Sequence, residues 1–524
     1  MGAFIKDQFE TIIIFFSAVF WLYSSICAQA ADEGVFFSLL QDVASNSPKV
    51  RHKAVSELGK MKDLRAVKPL IGLLADQDYE IRIKTIDALG EFGSSALNHL
   101  ISALKSDNVQ IKKGSIYVLM IIKDSRAIMP LIESLRDNDI AHVAAEALAK
   151  IGGNGVKSLC FALSNNNSKV RRAAADGLRY TTDVQIVDPL IEALKDYDID
   201  VRRFALRSLG NLRDPRSRKY ITDSLKDSAH LVRLAAAAEL IEIADLSSIA
   251  PLVETIRTEK EDHYVQTYAG QALAKLGDKA LEPLLSLLED KDPSVRASSA
   301  FALGLMNDNR TIIPLVSLLK DNDPIVSTSV HGALVRQGEL AIDPLINALK
   351  HGDDITRGNA VYVLCTIGGE RAVQPLVDAL KDKSARFWAS TCLHSFGMPA
   401  AKALTEFVRK KTDPADDIRE SAIEILSQIE NVSVEPFIEM LMNDYDPISQ
   451  RVAIVALKTI KDPKGVPALQ AFVLQNNGPL KEIALDAAKY ISTPKEIAIK
   501  EPNVISTSMY DINNIVDPGN RTVC

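Results

Sequence analysis

Aromatic residues are scarce in this chain, 6% of 524, with tryptophan at only two positions. That excludes a surface of stacked rings, the kind that grips single-stranded nucleic acid. An excess of positive charge is missing too: 61 Lys+Arg face 68 Asp+Glu, for a formal net charge of −7. General affinity for nucleic acid needs a basic surface that displaces counterions, so nucleic acid is not an expected partner. Five cysteines without a C-x-x-C exclude a dense disulfide framework or a zinc ribbon. Nor is there a G-x-S-x-G, a G-x-x-x-x-G-K-[ST] or a G-x-G-x-x-G, which removes the commonest hydrolase and nucleotide-binding signatures. What the chain has in quantity is aliphatic. Its 47% hydrophobic and 25% charged residues can bury a core, and are too polar for a polytopic membrane protein.

A single long apolar run interrupts this even pattern. Thr11 to Ile26 is uncharged over 16 residues, short for a helix crossing ~30 Å of hydrocarbon. Ala28-Gln29-Ala30 follows, an A-x-A triplet of the sort signal peptidase cleaves. Residues 1–30 therefore read as a secretory signal, although Lys6 is offset by Asp7 and Glu10. An uncleaved anchor through residues 11–26 is the alternative, and either places the bulk of the chain outside the cytoplasm. Cys27 is a poor lipoprotein cysteine, because Ile26 stands where a small residue is needed.

Beyond residue 31 the chain repeats itself. Prolines at 69, 130, 189, 251, 283, 314, 344, 375, 436 and 467 each open a short apolar segment. The gaps are one or two copies of a unit of about 31 residues. Residues 292–321, DPSVRASSAFALGLMNDNRTIIPLVSLLKD, show it most clearly. Asp292-Pro293 supplies an N-capping carboxylate and a first-turn proline for a first helix, helix A. Val295, Ser299 or Ala300, and Leu303 then form its buried stripe, and Gly304 or its neighbours end it. A polar turn leads to helix B, whose apolar positions are Leu315, Val316, Leu318 and Leu319. Neither helix can bury its stripe alone, so units must stack. About fourteen pairs, plus a half unit from Gly478 to Thr493, predict an all-α solenoid over residues 31–493, followed by a loose tail at 494–524.

The pattern D-P-x-V-R-x-x-A-x-x-A-L-G … A-V-x-P-L-I-x-A-L-x-D resembles the short HEAT repeat of the phycobilisome-lyase type. The resemblance implies an armadillo-like helical superhelix whose B helices line the concave face. Families sharing the repeat include bilin lyases, deoxyhypusine hydroxylase and bacterial binding scaffolds. The hydroxylase would bring His-Glu dipeptides that bind two irons. None of the eight histidines here is followed by Glu or has another histidine three or four residues away, so that reading is rejected. No catalytic residue, metal or cofactor is expected. Gly152-Gly153-Asn154-Gly155 sits in an A-to-B turn, as Gly368-Gly369 does, and reads as a helix stop. The loops near Glu259–His263 and Asp413–Asp417 are lengthened. Cys365 and Cys392 fall in adjoining units and read as small buried residues, with a disulfide as the alternative in an oxidising compartment.

Three charge patterns remain. The residue three after the helix-B proline is acidic in half of the units: Glu133, Glu192, Asp223, Glu254, Asp378, Glu406 and Glu439. On a concave face these would form an acidic column suited to a basic or extended peptide. The plainer reading is a solvated helix face whose carboxylates favour the helix dipole. Arginines recur in the V-R place of helix A (Arg51, Arg82, Arg171, Arg202, Arg233, Arg296, Arg357, Arg419 and Arg451) and are expected to pair with Asp78, Asp198 and Asp292 in the preceding turns. Arg202, Arg203, Arg207, Arg213, Arg216, Arg218 and Lys219 form a candidate basic patch, suited to anionic lipid headgroups or envelope polymer, while residues 412–447 carry ten acids against Arg419. The expected function is an exported, non-enzymatic scaffold that binds a protein or peptide through its concave face. Alternatives are a membrane-anchored organiser of an envelope complex, and a lyase- or isomerase-like chaperone for a groove-bound ligand.

Overall fold

The computed structural model describes Trp21 and residues 33–409, 416–429 and 433–492. The signal at 1–30, Trp21 apart, and the tail at 494–524 lie outside the described residues. Among the described residues every regular element is helical. A helix over residues 33–42 comes first and buries Phe36. Long A helices then alternate with short B helices, from Pro48–Met61 and Val67–Leu73 to Pro447–Ile460 and Val466–Gln475. A final A helix, Leu480–Ser492, closes the series as the predicted half unit. The chain divides into two compact units, Met1–Gln337 and Gly338–Cys524.

Local chemistry explains the pairs. Asp292 accepts the Ser294 N–H and Pro293 occupies the first helical turn of Pro293–Leu305. Val295, Ser299, Ala300 and Leu303 are fully buried, as their spacing predicts. The helix ends at Leu305, the neighbour of Gly304, and Gly304 lies just inside it, where an added Cβ would come 2.6 Å from the Ala333 Cα of the next A helix. The stop is a left-handed residue further on, Asn307 here and Lys62, Lys123, Arg213 or Lys461 elsewhere. Gly152 and Gly153 take positive φ between their helices, which is the helix stop expected of them. Before helix B the chain makes a 3₁₀ turn, and Pro69 then falls at the third residue of Val67–Leu73. A first-turn residue has no intrahelical partner for its N–H, so proline costs nothing there. Several of these turns read Asp-x-Arg: Asp63, Asp124, Asp214 and Asp308 each cap the turn and bind the arginine two residues on.

The arginine column forms a ladder, with different partners from those expected. Arg171 donates Nε and Nη2 to the Asp196 carboxylate at 2.7 and 3.0 Å, and Nη1 to the Asn165 carbonyl at 2.9 Å. Arg202 does the same with Asp227 and with the carbonyl of that same Asp196. Arg51–Asp76, Arg233–Glu259, Arg296–Asp321 and Arg357–Asp382 follow the pattern. The acid thus lies 25 or 26 residues ahead, in the loop leading into the next unit. Asp78, Asp198 and Asp292 cap their own A helices, so from the turn that precedes it the column arginine takes a backbone carbonyl and not these carboxylates. Arg451 is displaced as well. Gln450 takes the ladder place and donates to the Asp444 carbonyl at 2.8 Å. The lengthened loop at Glu259 keeps its rung, because a longer acid meets Arg233 and buried Gln266 holds the loop carbonyls of Ile256 and Glu259.

Cys365 and Cys392 are joined in a disulfide, Cα to Cα 5.8 Å, rather than standing as two small buried thiols. The bond ties the neighbouring A helices Asp354–Ile367 and Arg386–Leu393 within the second unit. Beside it Trp388 packs edge-on against Tyr362 and Phe387 at 5.3 and 5.2 Å, an exposed aromatic cluster that sequence scarcity had hidden.

Candidate functional site

All seven acids of the column (Glu133, Glu192, Asp223, Glu254, Asp378, Glu406 and Glu439) are solvent-exposed on their B helices. Glu192 is held by Lys195 at 2.7 Å, and Asp378 accepts a hydrogen bond from Gln374 at 3.3 Å. The other five make no ion pair with a described residue.

Between consecutive B helices the surface opens into grooves. In the first unit, Met129 and Ile132 of Ile128–Ser134 face Lys157 and Phe161 of Asn154–Ala162 across an opening of about 380 Å³. Phe161 is 82% exposed and stands in the column's own position. In the second unit, Asp378 lines an opening of about 430 Å³ with Ile346, Lys350, Gln374 and Lys381. Glu406 and Glu439 line another of about 250 Å³ with Met398 and Phe437.

The A helices are built to the opposite specification. A Cβ on Gly59 would meet the Cβ of Ala88 at 2.8 Å, and one on Gly177 the Cβ of Ala145 at 2.6 Å. These residues bring neighbouring A helices close to backbone contact. The acids of the column stand on the grooved helix-B layer of each unit.

The basic patch spans two consecutive helices. Arg202, Arg203 and Arg207 belong to the A helix Ile199–Leu212 and Arg213 to its cap, whereas Arg216, Arg218 and Lys219 belong to the B helix Pro215–Asp223. Arg202 binds Asp227, Arg203 binds Asp200, Arg213 binds Glu242, Arg216 binds Asp214 and Arg218 binds Asp245. Arg207 and Lys219 alone of the seven lack an acidic partner among the described residues. Of the acid-rich stretch at 412–447, the side chains of Asp413, Asp416, Asp417 and Glu420 lie outside the described residues, and Glu424 is exposed.

Titratable residues also gather on the A helices of the first unit. Burial pushes Tyr117 and Tyr180 up from the usual phenol range and pulls His142 down from the usual imidazole range. Tyr180 and Asp176 both contact Arg179, and the field of Glu146 reaches both tyrosines and His142. Burial also raises the free thiol of Cys160 to about 11, so it is not a nucleophile at neutral pH.

Comparison with known proteins bears on this geometry. The family model for HEAT repeats matches residues 36–120, 156–242, 249–334 and 342–427. The later three matches begin within or at the start of a B helix and end within an A helix. The chain is similar to the bilin biosynthesis protein MpeU of Synechococcus sp. (strain WH8020), 28% identical over 38% of this chain and 81% of that one. It is similar to deoxyhypusine hydroxylase of Drosophila pseudoobscura pseudoobscura, 24% identical over 46% of this chain and 91% of that one. Among solved structures, yeast importin-beta (Kap95p) aligns with 88% of this chain and 77% of its own at 13% identity and a TM-score of 0.45.

Proposed function

The chain belongs to the HEAT-repeat family, and from that premise we propose that it is a non-enzymatic scaffold binding a protein or peptide partner on its helix-B face. One observation carries the reading. The residue three after the helix-B proline is exposed in unit after unit, and consecutive B helices leave side-chain-sized grooves beside it. Four carboxylates on the helix-B layer of the first unit and three on that of the second favour a basic or extended partner by charge, and the grooves offer places for its side chains. Export is part of the proposal. The apolar run at 11–26 and the A-x-A triplet support it, as does a disulfide, which persists in oxidising compartments.

The test is capture by the full chain from an envelope fraction, beside a variant carrying Glu192→Lys, Glu254→Lys and Asp378→Lys. A partner retained by the first and lost from the second, both folded, is the expected result. A partner captured equally by both removes the helix-B face. N-terminal sequencing of the secreted form separates cleavage after Ala30 from an anchor at residues 11–26. The lyase-like reading draws on the relatives' names and on the titratable residues of the first unit, and a coloured ligand carried through purification would favour it.

A further inference from the structure

The three helix-B grooves differ in charge, and the difference points to what one of them takes. The groove of the first unit has Lys157 in its lining and no carboxylate. That around Asp378 balances Asp378 and Asp382 against Lys350 and Lys381. The slot between Met398–Arg409 and Glu435–Asn443 is different: Glu406 and Glu439 outnumber its single ammonium, Lys402. Neither glutamate makes an ion pair with a described residue, and both are exposed at the rim. Beneath them the slot is apolar. Ala401 and Phe437 are 2% and 1% exposed, and the half-exposed side chain of Met398 forms a wall.

Its volume, about 250 Å³, lies below the range of about 300–1,000 Å³ usual for small-molecule and cofactor pockets. It suits one long side chain. A lysine matches both halves of the slot: its methylene stem prefers apolar surface, and its ammonium gains from two unpaired carboxylates above it. An aliphatic side chain of that length would leave the carboxylates unused, and a short cation would leave the floor wet. We infer that this slot is a subsite for a lysine side chain of an extended partner segment. The inference rests on the helix-B face being the binding surface, and narrows the partner there to one bearing lysine.

The probe is a fluorescein-labelled peptide of repeated Lys-Ala-Ala units, with a counterpart in which each lysine is shortened to 2,4-diaminobutyrate. Charge is the same and only the stem differs. Fluorescence anisotropy with the full chain should show the lysine peptide binding about fivefold tighter than its counterpart. That advantage should vanish in Glu406→Gln/Glu439→Gln, whose exposed, isosteric changes leave the thermal melt in place. Equal binding of the two peptides by the natural chain overturns the subsite, as does an advantage that survives the double change. If binding persists in that case yet falls on reversal of Glu192, Glu254 and Asp378, the helix-B reading stands without the slot. If neither peptide binds, the subsite and the basic character of the partner fall together.

Discussion

At Gly304 neighbouring A helices leave no room for a methyl group: a Cβ there would press on the Ala333 backbone at 2.6 Å. Between neighbouring B helices there are openings of about 250 to 430 Å³. Both layers draw on the same aliphatic residues, yet one is sealed by small residues, ion pairs and a disulfide, and the other is left grooved and charged. The lesson is a division of labour. Cohesion between units resides in helix A and its leading loops, which leaves helix B free to vary in what it presents.

This contrast can be broken by substitution. Gly304→Leu should be the most damaging, costing at least about 3 kcal/mol, because overpacking here meets backbone rather than a side chain that can turn away. Ser317→Leu, exposed on helix B, should move the melt by less than about 0.5 kcal/mol. Circular dichroism melts of the two proteins measure the difference, and equal shifts would mean the layers do not differ. Next in size is the Cys365–Cys392 bond, with a sequence separation of 27. Replacing both cysteines with serine should lower the stability of the second unit by up to about 3.5 kcal/mol by the chain-entropy rule. Trp388, packed beside the bond, reports that transition by fluorescence.

The ladder should come third. Arg171 is 4% exposed, and Arg171→Ala strands the Asp196 carboxylate at a cost of about 2 kcal/mol. Arg216→Ala, cut from an exposed pair, should leave the melting temperature in place. Acid should sharpen the same point with the smallest effect. The Arg51 guanidinium holds the Asp76 carboxyl below its ordinary range, and the Lys112 ammonium does so for Asp137. A carboxyl depressed in the folded state contributes stability above its unfolded value of about 3.9 and loses it as pH falls through the folded one. Melting temperature should therefore stay level from about pH 7 to 5 and drop below about pH 4. A level profile down to pH 3 would show that the ladder carries no net stability.

Much of the fold was legible because it is local. Asp292-Pro293 announces a helix start, Val295 to Leu303 its buried stripe, and the proline spacing the period. The arginine column was legible as structural, but its partner was not. Asp76 and Asp78 are both near Arg51 or Arg82 in some unit, and only the stacking shows that one accepts from the arginine while the other caps its own helix. The Arg451 rung failed for a simpler reason: a one-residue shift puts Gln450 in register, and the letter R draws the eye. The site was legible as a row of exposed positions and not as a set of grooves between B helices. Which layer is tight depends on glycines such as Gly59 and Gly177 meeting alanines a whole unit away. Adjacency of the basic patch in sequence crosses two helices, and five of its six arginines already have acid partners, neither of which the letters alone display.

The rungs also bear on how such a chain acquires its length. Arg51, Arg171, Arg202, Arg233, Arg296 and Arg357 each reach an acid in the leading loop of whichever unit comes next, with a second contact to a carbonyl of their own loop, as Arg171 shows. The coupling is identical at every joint where both letters are present, so no joint depends on the individual identity of its neighbours. A segment of one period can be duplicated or lost in a gene without leaving an unmatched end in the protein. Array length becomes free to drift in whole steps, and the exposed faces of the added or surviving units are then the raw material on which selection for a partner can act.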